Sequence, residues 1–109
     1  MIVLENKPIV VLSTTPDLKC AKEIAHLLVQ KKKAACCNII PNIISVYEWD
    51  SKINEDNEYL LIIKSTSGKY KDLEQLIISN HPYDLPEIIS VDIEKGYPAY
   101  MNWIIESTR

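Results

Sequence analysis

The chain has 109 residues, 47% of them apolar, and a formal net charge of −3 with no basic tract. That balance counts against nucleic-acid binding, which needs a clustered positive footprint, and against a polybasic membrane anchor. No apolar run approaches the ~20 residues of a membrane helix.

The length fits one domain over residues 1–109, and a domain of this size gains from a shared interface. The amino terminus shows neither a basic n-region nor a small-residue cleavage site, so no signal peptide is read. The cysteines are Cys20, Cys36 and Cys37. An odd number without framework spacing suits a reducing compartment and a cytoplasmic location.

The first element is a β-branched strand over 9–13. Thr15 is then expected to cap a helix, with Pro16 at its first position and Asp17 complementing its positive end. Leu18, Ala21, Ile24, Ala25 and Leu28 recur at helical spacing, and Lys31, Lys32 and Lys33 close the helix. Residues 34–49 read as a long strand with a bulge or bend at Pro41, and 50–52 as a turn. A returning strand is expected over 58–64, then a helix from about Lys69 with Tyr70, Leu73, Leu76 and Ile77 on one face. A strand over 87–93, a break at Gly96 and a terminal helix over 97–107 complete the chain.

The order β-α-β-β-α-β-α places the chain in the α+β class. Its first six elements match the ferredoxin-like split βαβ pattern, an antiparallel sheet with two helices on one face. The long central hairpin should project and leave edges that association between copies would cover.

Before the last strand runs Asn80-His81-Pro82-Tyr83-Asp84-Leu85-Pro86-Glu87. Each proline fixes its own φ and holds the residue before it extended, so this segment is built to place side chains. It carries one of only two histidines, a residue suited to metal ligation and proton transfer.

These elements carry the motifs Val11-Leu12-Ser13-Thr14-Thr15-Pro16-Asp17, Lys33-Ala34-Ala35-Cys36-Cys37-Asn38-Ile39-Ile40-Pro41, Ser45-Val46-Tyr47-Glu48-Trp49 and Ile62-Ile63-Lys64-Ser65-Thr66. With the segment from His81 to Glu87 and the terminal Tyr100-Met101-Asn102-Trp103, the chain resembles the CutA family of divalent-cation tolerance proteins. The resemblance implies a ferredoxin-like fold and a stable homotrimer whose hairpins pair across subunits. It also implies similarity to PII-type signalling trimers and a link, in bacterial members, to tolerance of copper and other divalent metals. Animal relatives are associated with anchoring of acetylcholinesterase, which leaves room for an unknown partner protein here. No enzymatic activity is established for the family, so a non-enzymatic role is expected.

In bacterial members copper is assigned to a first-strand cysteine and to two adjacent histidines before Pro-Tyr. In this chain Ser13 and the pair Asn80-His81 hold those positions. Only His81 remains a good ligand, because a hydroxyl and an amide do not replace a thiolate and an imidazole for Cu(I). Copper or another divalent cation is therefore expected to bind weakly at best.

Cys36 and Cys37 point to opposite faces of their strand and chelate one ion poorly. Cys20 reads as structural and His26 as a surface residue. Glu48, Asp50, Glu55, Asp56 and Glu58 match no EF-hand spacing and read as a solvated hairpin tip. Lys64, Tyr83 and Glu87 are candidates for a small-molecule cleft between subunits; a structural ion pair between Lys64 and Glu87 is the plainer expectation. Trp49 and Trp103 read as packing or interface anchors. With two histidines far apart and glycine only at positions 68 and 96, neither a catalytic triad nor a phosphate loop is built.

Overall fold

The computed structural model describes residues 6–109. In chain order it contains β1 (Pro8–Thr15), α1 (Leu18–Gln30), β2 (Cys36–Trp49), β3 (Lys52–Thr66), a 3-10 turn (Ser67–Lys69), α2 (Tyr70–Asn80), β4 (Ile89–Asp92) and α3 (Pro98–Ser107). The strands form one antiparallel sheet in the order β2-β3-β1-β4. This is the split βαβ arrangement expected from the sequence.

Alternation along the strands decides the core. Ile9 and Val11 of β1 and Leu61 and Ile63 of β3 point to one face, where they pack with Ala21, Ile24, Ala25 and Leu28 of α1 and Leu73 and Ile77 of α2. Truncating one of these buried aliphatics to alanine costs about 2–5 kcal/mol. Ile104 is buried apart from this cluster, where α3 meets β1 and β3.

The register puts Val10 beside Lys64 and Val91, and Leu12 beside Ile62 and Ile89, on the opposite face. That face is apolar too, yet Ile89 and Val91 remain half exposed. An antiparallel sheet with a solvated second face ordinarily alternates polar residues onto it.

Local chemistry sets the ends of the elements. Asp17, not Thr15, caps α1: its Oδ1 accepts the Cys20 N–H at 2.8 Å. Thr15 is still in β1, and its hydroxyl donates across the sheet to the Tyr59 carbonyl at 3.3 Å. Pro16 accordingly lies outside the helix. At the other end Lys32 takes φ 57°. The Lys33 N–H then bonds the Leu28 carbonyl at 2.8 Å and the Lys32 N–H bonds Val29 at 3.1 Å, a Schellman closure built on lysine rather than glycine.

The central hairpin is longer than its composition predicts. β3 begins at Lys52 rather than 58, because ladder pairing with β2 runs to Trp49↔Lys52 through a polar stretch. Asp50 and Ser51 both have positive φ, 52° and 62°, the pattern of a type I′ turn. The expected irregularity at Pro41 is a register shift between Ile40 and Ile43, with Asn42 at φ 59°. β4 is shorter than expected and spans only Ile89–Asp92.

Pairing of β1 with β3 ends at Thr15↔Tyr59, so beyond it β2 and β3 continue as a two-stranded ribbon. The protomer is correspondingly long, 48 × 29 × 26 Å. Among the described residues, no helix is long and apolar enough to cross a membrane.

Candidate functional site

The proline-framed segment leaves α2 at Asn80 and folds back onto the end of β1. His81 adopts an extended backbone there, φ −104° and ψ 137°, as a residue before proline should. Its Nε2 lies 2.7 Å from the Thr14 carbonyl, and its Nδ1 lies 3.1 Å from the Tyr83 backbone N–H. A carbonyl can only accept, so Nε2 donates and Nδ1 accepts the Tyr83 N–H. The neutral Nε2–H tautomer therefore satisfies both contacts. The imidazole also leans on the Tyr83 ring, with centroids 4.7 Å apart.

Within the protomer, Ser13, Asn80 and His81 are turned to separate surroundings. Both nitrogens of His81 are engaged by backbone groups. Asn80 turns its amide to the Leu76 carbonyl of its own helix at 2.8 Å. Ser13 is fully buried, and its Oγ has no hydrogen-bond partner among the described residues. Nor do the described residues contain any group of three His, Cys, Asp or Glu side chains placed to hold a metal ion. The donors fit neither Cu(I), which favours thiolate, nor a chelated hard cation.

A groove of 840 Å³ opens where the same segment faces the hairpin. Thr14, Glu58, Tyr83 and Glu87 line it together with residues from Ser45 to Trp49. Glu58 belongs to this groove, which corrects its reading as part of a solvated tip. It sits on β3 opposite Ile43, beside the bulge, and is only 6% exposed. Tyr83 Oη donates to Glu58 Oε2 at 2.8 Å. Burial first, then the bond to Glu58 and the nearby Asp56 and Tyr47, push the Tyr83 phenol well above its ordinary range. Tyr47 in turn donates to Asp56.

Of the three cleft candidates, the protomer brings Tyr83 and Glu87 together but not Lys64. Lys64 does not line the groove, and its amine donates to Asn38 Oδ1 on β2 rather than pairing with Glu87. Cys36 stands opposite Lys64 on the same sheet face, while Cys37 points the other way, so the two thiols do not converge. Cys37 packs against the core, and burial, the largest cause, pushes its thiol up to about 12. All three cysteines are free. Glu58 shares strand parity with Leu60 and Ile62, the face away from the Leu61 and Ile63 core, so its period carries no signal of burial; the distant Tyr83 meets it there.

A four-stranded split βαβ sheet with a projecting hairpin and a proline-framed loop defines a small α+β architecture. Comparison with known proteins then gives the family. The model of the CutA1 divalent ion tolerance protein matches residues 9–107. A mouse relative, Protein CutA, is 45% identical over 95 residues, 87% of this chain and 54% of the mouse protein. The divalent-cation tolerance protein CutA of Thermus thermophilus is 39% identical over 99 residues, 91% of this chain and 96% of that protein. The crystal structure of CutA from Xylella fastidiosa matches with a TM-score of 0.93 at 35% identity, over 94% of this chain and 99% of that one. The chain belongs to the CutA1 divalent ion tolerance family. It spans 53% to 60% of the length of the vertebrate and plant relatives it matches.

Proposed function

We propose that the protein is a non-enzymatic, homotrimeric member of its family. In this reading it serves the response to divalent metal ions, copper among them, in a reducing cytoplasm and without a tight copper site at His81. One observation carries the assembly: the protomer leaves apolar surface that its own chain does not cover. Ile44, Val46, Trp49 and Ile53 on the ribbon, and Ile89 and Val91 on the sheet, are all at least half exposed. A two-stranded ribbon is marginal in water by itself, and β2 and β4 each present an unpaired edge. These surfaces are unlike, so contact between them is heterologous, and in the trimer its rotation closes after three copies.

Light scattering at micromolar concentration should give three times the protomer mass; a monomer would refute the assembly. Calorimetric copper titration should show affinity no tighter than micromolar, with little change in His81→Ala. Tight binding lost in that variant would restore a copper site at His81. The groove favours a second reading, a small-molecule sensor of the PII kind with Tyr83 and Glu87 at the ligand. Its volume lies in the range of small-ligand sites.

A further inference from the structure

We propose that the groove between the hairpin and the proline-framed loop binds an organic cation, an ammonium group on an aliphatic chain, with Glu58 as its anchor. This inference rests on the small-ligand reading of the groove and assigns its ligand class. The charges lining the groove are all of one sign. Glu48, Glu58, Asp84 and Glu87 face it, and among the described residues no lysine or arginine does. At its floor Glu58 is 6% exposed, yet among the described residues its carboxylate meets only the Tyr83 hydroxyl and no cation. A carboxylate buried this far is costly to leave with a single neutral donor. A cation entering the groove would supply the missing charge.

The rest of the lining selects the kind of cation. Tyr47, Trp49 and Tyr83 contribute aromatic surface beside the carboxylates, a combination that attracts ammonium groups through the ring quadrupole. Among the described residues the carboxylates do not gather into a set able to chelate one metal ion. Dispersed acidic groups with apolar surface between them suit a longer, multiply charged aliphatic amine better than a compact divalent ion. Covering of the exposed Val46 and Trp49 by a neighbouring copy would deepen the groove into a cleft.

The test is calorimetric titration of the assembled protein, at low salt, with 1,4-diaminobutane and spermidine, and with magnesium and citrate as contrasts. Saturable amine binding is expected, weakened about tenfold or more in Glu58→Gln and lost at high salt. The exposed pair Asp84→Asn with Glu87→Gln should weaken it about threefold to tenfold and guards against a misfolded Glu58 variant. No amine binding, or binding equal in all variants, overturns the proposal. Binding of citrate alone would overturn it while leaving a small-ligand groove in place. Binding of none of the four would reject both. If Glu58→Gln instead lowers the assembly mass by light scattering while amines fail to bind, the carboxylate serves a basic residue of a neighbouring copy, and the proposal falls.

Discussion

Tyr83 reaches from the loop after α2 to Glu58 in the middle of β3 and closes that gap with one hydrogen bond of 2.8 Å. The bond ties the proline-framed segment to the hairpin and supplies the buried carboxylate with its donor. Loop position and charge solvation are therefore one interaction.

Tyr83→Phe should lower stability by about 1–3 kcal/mol, because it strands a buried charged acceptor while keeping the ring. Thermal melting at fixed protein concentration checks this, since assembly makes the midpoint concentration-dependent. An unchanged midpoint would show that water solvates Glu58 adequately.

His81 should appear in nitrogen-detected NMR as the Nε2–H tautomer in its neutral form, given its bonds to Thr14 and Tyr83. His81→Ala should cost about 1–3 kcal/mol by leaving that carbonyl and N–H unpaired. A proton on Nδ1 would contradict the arrangement.

Cys37 should resist alkylation at neutral pH. Burial holds its thiol up to about 12, and the thiolate is the reactive form. Mass spectrometry after iodoacetamide treatment of the native protein reads this directly. Labelling at the rate of an unfolded control would mean that the residue is not packed as described.

Tyr70 should make the fold sensitive to alkali. Burial, followed by its hydrogen bond to Glu74, raises its phenol from 10.0 to about 12. The folded state thus favours the neutral form, so the contribution is complete below the unfolded value and is lost as pH rises through the folded one. Melting points of the wild type and Tyr70→Phe, compared from pH 9 upwards, should show a smaller alkaline loss in the variant. Parallel curves would refute the linkage.

Lys32→Gly should stabilise the protein by up to about 1 kcal/mol, since a non-glycine residue occupies a left-handed helix-closing position. A chemical-denaturation midpoint that falls would mean that the lysine side chain contributes more than its backbone strain removes.

Much of the fold was legible because its signals are local. Periodicity located α1 and its apolar stripe, β-branched runs located β1 and β3, and Pro41 marked the bulge. The cap of α1 lies two residues beyond Thr15, because Thr15 and Asp17 are both competent caps and only the length of β1 decides between them. The lower half of β3 is not legible in the sequence because its polar residues pair through backbone bonds, which composition does not record.

The sequence by itself determined the order of elements and the family. Only the tertiary structure decided what His81 and Glu58 do. The carbonyl that holds His81 lies 67 positions away, and the phenol that meets Glu58 lies 25 positions away. A periodic pattern tells which face a side chain takes; it does not tell what the folded chain lays over that face. The solvation of each buried polar group depends on that covering, and the chemistry of this groove follows from it.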